Sequence, residues 1–230
     1  AVPAAMAERT AVPVDAAVRP VLVFGASGGT GLEVVKLLRA RGQPVTAAVR
    51  ASSDRSALEP LGVDFVVADA MDAAAVDAAV ASRDFDAVVT TVGCLRCEPP
   101  PDFIGNRNII DAAKAHGVRR FLLVTSIGAG DSYQATHVLS RVALAPILPV
   151  KTQAEDHLRA SGLDWTIVRP GGLRPDNKPV TGQGYLSEDP AAFGFIHRAD
   201  LARLLVAALD DPGTIGKTYS SADPTVATPW

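Results

Sequence analysis

The sequence contains few cysteines, few aromatic residues and no long apolar run. Two cysteines in 230 residues are too few for a disulfide framework or a four-cysteine zinc site, so the fold has to rest on its core. Lys and Arg total 22 against 25 Asp and Glu, a net charge of −3 without a basic block, which argues against nucleic acid as a partner. No apolar run approaches the roughly 18–20 residues of a membrane-spanning helix, so we do not expect an integral membrane protein.

Small aliphatic side chains are abundant instead. Hydrophobic residues make up 48% of the chain, aromatic residues 5% and charged residues 20%, which excludes a disordered chain and suits strands that are buried on both faces. The length predicts one large domain, which we place at 20–230. Residues 1–19 are predicted to form an extended arm, because Pro3 and Pro13 would interrupt a helix and the segment has no clean period. If the chain has a protein partner, we expect this arm to lie on it.

From position 20 onward, short apolar runs alternate with helical periods. The predicted strands are 21–26, 45–50, 63–70, 86–93, 119–128, 164–170 and 217–221. The predicted helices are 31–42, 72–82, 103–117, 150–162 and 199–211. Such alternation predicts an α/β fold with a doubly wound parallel sheet and helices on both faces. The ligand crevice of such a sheet lies beyond the carboxyl ends of its strands.

A glycine-rich turn follows the first predicted strand and opens the first helix. Its glycines have G-x-x-G-x-x-G spacing, which favours close approach of a pyrophosphate to the backbone and to the positive end of the helix. We therefore predict a dinucleotide site that is formed here by Gly25, Ser27, Gly28, Gly29, Thr30 and Gly31.

The end of the second strand distinguishes NADP from NAD. A site for NAD places a carboxylate there, whereas this strand ends in Arg50, a planar donor suited to a 2′-phosphate, with Ser53 shortly after it. We therefore predict NADP(H) as the cofactor. Asp69 and the adjacent Ala70 are expected near the adenine. The ribose side is expected to be lined by Thr90, Thr91, Val92 and Gly93.

Five blocks of the chain resemble the atypical short-chain dehydrogenase/reductases, a group of NAD(P)H-binding proteins that includes flavin/biliverdin-IXβ reductases and chloroplast dehydrogenase-like proteins. The blocks lie within 20–222 and read VLVFGASGGTG, VTAAVR, FLLVTSIGAG, VKTQAEDHLRASGLDWTIVRPGGL and IHRADLARLLVAAL. The resemblance implies a Rossmann-type fold and places Pro170 and Gly171 beside the nicotinamide. It also implies a catalytic Ser and a Tyr-x-x-x-Lys pair, in which the tyrosine is the general acid.

The chain departs from this catalytic pattern at one position. Ser126 and Lys151 match, but Ile147 stands where the tyrosine belongs and cannot transfer a proton. Either Tyr133 or His137 supplies the proton, or the acceptor needs no side-chain donor because it is a flavin or another conjugated system. Two functions therefore remain open: a reductase of a small conjugated, flavin or quinone-like acceptor, and an inactive NADP-binding assembly subunit. The cytoplasm and the chloroplast stroma are both compatible with the sequence.

Three further features lie near the predicted crevice. The segment 171–197, which contains Pro175, Pro179, Gly182 and Gly184, is interpreted as a loop that covers the substrate. Asp200 is expected to stabilise the start of its own helix. Cys94 and Cys97 form a C-x-x-C motif, which is found in redox pairs and as half of a metal site. Without a second pair a metal site is not expected, and we interpret them as two unrelated free thiols in preference to a redox pair.

Overall fold

The structure is a computed structural model and describes residues 19–136, 138–174 and 180–227. Its strands are β1 Val21–Phe24, β2 Val45–Val49, β3 Asp64–Val67, β4 Ala87–Thr90, β5 Arg120–Val124, β6 Asp164–Pro170, β7 Gly172–Arg174, β8 Tyr185–Ser187, β9 Phe195–His197 and β10 Lys217–Ala222. Its helices are α1 Gly29–Ala40, α2 Ala73–Ala81, α3 Ile104–Ala115, α4 Val138–Leu144, α5 Leu148–Arg159 and α6 Arg198–Asp210.

Eight of the strands form one sheet, in the order β3-β2-β1-β4-β5-β6-β10-β8. All its pairs are parallel except the last, in which β8 runs antiparallel to β10. The order reverses between β1 and β4, where an open parallel sheet forms a crevice beyond its carboxyl ends. This arrangement confirms the predicted doubly wound, Rossmann-type architecture.

Alternate side chains of the strands feed two hydrophobic cores, one on each face of the sheet. In β1, Val21 and Val23 pack with α1 and α6, whereas Leu22 and Phe24 pack with α2, α3 and α5. All four side chains are buried, because the helices cover both faces. The continuous apolar runs of the sequence are explained by this two-sided burial.

The segment 171–197 differs from the predicted loop. It contains β7, β8 and β9, three strands of three residues each, of which β7 and β9 pair in a second small parallel sheet. Strands this short have too few residues to show a period in the sequence. Pro175 and Pro179 lie outside the described residues, as do residues 1–18 of the predicted arm.

Two general findings concern the described part of the chain. None of its helices combines the length and the apolar character that a membrane span requires. Nor do its His, Cys, Asp and Glu side chains form a group of three or more that could hold a metal ion.

Candidate nucleotide-binding site

The glycine-rich turn has the backbone geometry of a phosphate-binding turn. Gly25 has a φ of 79° and Gly29 a φ of 52°, both in the left-handed region that favours glycine. Gly31 is buried, and a Cβ there would collide with the carbonyl oxygen of Gly25. These three glycines are thus required by the protein itself.

Gly28 is different, because the protein gives no reason for a glycine at this position. Its φ of −171° is extended backbone that any residue adopts, and a Cβ there would meet nothing within 4 Å. Gly28 is exposed, lines the cleft and stands at the N-terminal end of α1 without a capping side chain among the described residues. An open cradle at a helix N-terminus fits the pyrophosphate of a dinucleotide.

This turn opens into a cleft of about 610 Å³ at the carboxyl ends of β1 to β6. The structure brings nearly all of the predicted site residues to its wall. They are Gly25, Ser27, Gly28, Gly29, Thr30, Arg50, Ser53, Asp69, Ala70, Thr91, Val92, Gly93, Ser126, Lys151, Pro170 and Gly171. Gly31 does not line the cleft, because it lies behind the turn and packs against the backbone of Gly25.

The wall near the end of β2 is basic and polar. Arg50 is exposed, and its backbone N–H donates to the hydroxyl of Ser53 over 3.1 Å in a tight turn. The acidic residues that line the cleft in the described chain are Asp69 and Asp102, and neither follows β2. Asp69 accepts a hydrogen bond from the N–H of Met71 over 2.9 Å, which fixes its carboxylate. This wall suits a phosphate better than a free ribose hydroxyl pair.

A buried ion pair lies deeper in the cleft. Lys151 Nζ is 2.6 Å from Oδ1 of Asp102, whose side chain is fully buried, and the lysine side chain is 15% exposed. The other carboxylate oxygen of Asp102 accepts the backbone N–H of Cys94 over 3.0 Å. A Cβ at Gly93 would lie 2.8 Å from Asp102 Oδ1, so glycine makes room for the pair.

Asp102 was missed from the sequence, because it precedes α3 and meets Lys151 only across the fold. The signal that could have found it is an acidic residue just beyond the fourth strand, at the sheet edge where Lys151 was already expected. It holds Lys151 in a defined position on the wall of the cleft.

The residues around Lys151 leave an apolar surface where a tyrosine would stand. Ile147 lies one residue before α5, is 3% exposed and lines the cleft. Leu144 and Leu173 line the same cavity. Ser126 also lines it, with a hydroxyl that donates to the carbonyl of Ile127 over 3.0 Å.

A buried polar network lies under this end of the cleft. Arg169, on β6, donates from Nε and Nη2 to both oxygens of Glu155, at 2.9 and 2.7 Å. Glu155 also accepts the hydroxyl of Thr125 over 2.7 Å, next to Ser126. Burial lowers the pKa of Arg169, but its hydrogen bonds with Glu155 and Asp131 outweigh burial, so the net pKa is raised. The network links β5, α5 and β6, which carry Ser126, Lys151 and Pro170 at this end of the cleft.

The structure does not bring Tyr133 to the cleft. Tyr133 lies in a 3₁₀ turn over Gly130–Ala135, is 45% exposed and has the guanidinium of Arg141 5.2 Å from its ring centre. It borders a separate small pocket with Leu148 and Thr152. His137, the other proposed donor, lies outside the described residues.

The prediction of two free thiols is wrong, because Cys94 and Cys97 form a disulfide. A turn at Leu95 and Arg96 brings their Cα atoms to 5.4 Å, within the usual range for a bridge. Both residues line the cleft. A C-x-x-C motif alone could not distinguish a bridge from two thiols, because the turn between them was not foreseen.

The role expected for Asp200 is also incomplete. Asp200 lies in the first turn of α6, but its buried carboxylate accepts the backbone N–H groups of Thr181 and Gly182, at 2.8 and 2.9 Å. It thereby ties the segment 180–187 to α6. Whether the segment covers a substrate stays a prediction.

Arg198 is a cationic residue of the cleft that the sequence analysis did not assign to the site. It begins α6 and lines the cleft, and its Nε would lie 3.6 Å from a Cβ at Gly29. Its Nη1 donates to the carbonyl of Arg174 over 3.1 Å. The guanidinium is thus held over the turn in which the pyrophosphate is expected.

The fold, the glycine turn and the cleft at the switch point define a Rossmann-type nucleotide-binding protein. The chain belongs to the NAD(P)H-binding family, whose model matches residues 25–212. Its relatives are atypical short-chain dehydrogenase/reductase-like proteins, as the sequence blocks indicated.

Three relatives show the range of this group. The chain is 31% identical to the uncharacterized sugar epimerase YhfK of Bacillus subtilis over 205 residues, which cover 86% of this chain and 92% of that protein. It is 41% identical to sanguinarine reductase of Eschscholzia californica over 114 residues, 47% of this chain and 40% of that protein. The structure of the anaerobillin reductase ChuY of Escherichia coli O157:H7 matches with a TM-score of 0.82 and 33% identity, covering 91% of this chain and 99% of that one.

Proposed function

We propose that the protein is an NADPH-dependent reductase that acts on an extended conjugated acceptor and uses no side-chain acid. One observation carries the proposal: Lys151 is held by buried Asp102 in an otherwise complete cleft, while apolar Ile147 occupies the place of the acid. Bound NADPH would supply a hydride. Two relatives described above, sanguinarine reductase and the anaerobillin reductase ChuY, support the same class of reaction.

The chain's own residues have separate tasks in this proposal. The turn at Gly28 and the guanidinium of Arg198 bind the pyrophosphate, and Arg50 binds the 2′-phosphate. Lys151 binds the nicotinamide ribose in a position set by Asp102. Ile147 and Leu144 exclude water from one side of the acceptor and favour a flat apolar ring system. A conjugated acceptor spreads the charge that it gains, so water can supply the proton.

The test is turnover with purified protein and an acceptor panel that contains flavins, quinones, sanguinarine and anaerobillin, together with simple aldehydes and ketones. We expect NADPH oxidation with conjugated acceptors and none with simple carbonyls. With an acceptor that receives the hydride at carbon, NADPH deuterated at the transferred position should label that carbon, and the exchangeable proton should come from solvent.

Two variants separate the roles at this end of the cleft. Lys151→Met should impair NADPH binding and turnover, whereas Ile147→Val should leave both nearly unchanged, because valine keeps the apolar surface at this position. Tight NADPH binding without turnover on any acceptor would favour the second candidate, a cofactor-binding assembly subunit, which Ile147 also motivates.

A further inference from the structure

The Cys94–Cys97 disulfide has a position that stability does not explain. It closes a loop of only four residues, and closing so short a loop restricts the unfolded chain less than a long cross-link would. The fold has two extensive hydrophobic cores, and neither cysteine belongs to them. Both cysteines lie on the wall of the nucleotide cleft.

The bridge is accessible to an external thiol. Cys97 and its neighbours Leu95 and Arg96 are exposed, whereas Cys94 is half-buried. Thiol–disulfide exchange requires that a thiolate reach one sulfur and that the other leave. The exposed residue and the C-x-x-C spacing, which recurs in disulfide oxidoreductases, together meet this requirement.

The bridge is also connected to the buried ion pair by a single residue. The N–H of Cys94 donates to Oδ2 of Asp102 over 3.0 Å, and Oδ1 of the same carboxylate is 2.6 Å from Lys151 Nζ. The disulfide fixes the backbone at Cys94, and so fixes the donor that orients Asp102. Opening the bridge removes a covalent constraint from the loop at 94–97, whose Cys94 N–H orients the carboxylate that holds Lys151.

We propose that Cys94 and Cys97 form a reversible thiol–disulfide site, and that reduction by an external dithiol loosens Lys151 in the nucleotide cleft. The thiolate of the dithiol attacks the sulfur of Cys97 and forms a mixed disulfide, and the Cys94–Cys97 bond breaks. Cys94 leaves as a thiolate and takes up a proton. The second sulfur of the dithiol, as a thiolate, then attacks the mixed disulfide, so Cys97 leaves as a thiolate and takes up a proton, and the dithiol is oxidised by two electrons to a disulfide.

The test compares the disulfide and dithiol forms of the full chain without nucleotide. Dithiothreitol is the reductant, and alkylation followed by mass spectrometry counts the thiols in the folded protein. The readout is the rate at which a small acylating reagent modifies Lys151. We expect this rate to rise about fivefold on reduction, a typical size for coupling between sites. Lys217, which pairs with Glu188 at 2.7 Å outside the cleft, is the internal control and should not change.

Two variants sharpen the result. The double variant Cys94→Ser, Cys97→Ser should match the dithiol form and ignore dithiothreitol. Asp102→Asn should give fast acylation of Lys151 in both redox forms. Equal rates in the two forms, a bridge that opens only on unfolding, or two free thiols after mild oxidation would each overturn the inference.

NADPH affinity is measured in parallel and should weaken on reduction by a similar factor. This second readout rests on the proposed function, whereas acylation of Lys151 does not. If NADPH binds neither form but the acylation rate changes, the proposed function fails and the redox site stands. If NADPH binds both forms equally and acylation does not change, the redox site fails and the nucleotide site stands.

Discussion

The turn at 25–31 contains two glycines that should respond in opposite ways to alanine. At Gly28 a Cβ would meet nothing within 4 Å, whereas at Gly31 it would collide with the carbonyl oxygen of Gly25 and lie 2.8 Å from Thr91 Oγ1. Gly28 therefore faces the open cleft, and Gly31 faces the interior of the protein. Gly28→Ala and Gly31→Ala form a matched pair that separates binding from folding.

For Gly28→Ala we expect little change in the free energy of unfolding. A smaller loss of entropy on folding favours alanine by about 0.4–1 kcal/mol, but alanine is a poorer N-cap than glycine by a similar amount. Inserting a methyl group where the pyrophosphate packs costs about 1–3 kcal/mol. At about 1.4 kcal/mol per tenfold, the Kd for NADPH should rise by about fivefold to somewhat over a hundredfold.

For Gly31→Ala we expect the main effect on the stability of the fold rather than on the affinity for NADPH. Overpacking against Gly25 costs about 1–3 kcal/mol, and each kcal/mol lowers the Tm of a chain of this size by about 2–4 °C. Thermal unfolding by circular dichroism and NADPH titration by calorimetry measure both quantities. A folded Gly28→Ala variant that binds NADPH like the wild type would refute the assignment of this turn to the pyrophosphate.

Three further predictions concern charge. Arg50→Glu should raise the Kd for NADPH about a hundredfold, from about 3 kcal/mol of lost and reversed phosphate attraction, and change that for NADH less than about threefold. Lys114→Glu, an equal charge reversal on α3, is the control, and equal losses for both nucleotides would undo the choice of NADP. Asp102→Asn should raise KM for NADPH, because it releases Lys151. Expressed as free energies, the change in KM from kinetics should exceed the loss of stability from melting, and unchanged kinetics would contradict this. Burial raises the pKa of Asp223, but hydrogen bonds from Thr181 and Thr225 outweigh it, so the net pKa is lowered. The stability from Asp223 is therefore complete above about pH 4 and lost as pH falls through the lowered pKa. Melting from pH 6 to pH 3 should show a smaller loss in Asp223→Asn than in Asp84→Asn or the wild type, and equal losses would refute the role of Asp223.

Much of the fold is readable from the sequence because strands and helices here bury continuous apolar faces. The run at 21–26 and the stripe around Leu201, Leu204 and Leu205 predict β1 and α6 to within a few residues. β7, β8 and β9 were not predicted, since three residues are too few for a period. Their position depends on tertiary contacts such as those of Asp200 with the backbone at 181 and 182.

The site divides in the same way. The glycine turn and Arg50 are predictable from the sequence, because the residue types that bind a phosphate stand close together in one short segment. Asp102, Glu155 and Arg198 act across the fold, and their partners are far away in sequence. The disulfide was missed because the turn at 95–96 is not distinguished by its residue types.

The polar contacts around the cleft differ in burial, and this difference suggests where the site is rigid. Glu155 and Arg169 are buried and satisfy each other with two hydrogen bonds, which fixes the floor that carries Ser126 and Pro170. The rim at 94–97 is mostly exposed and is held through one backbone hydrogen bond to Asp102. A change at the rim therefore reaches Lys151 without disturbing the floor. This separation allows a redox change to adjust nucleotide affinity while the acceptor surface at Ile147 keeps its shape.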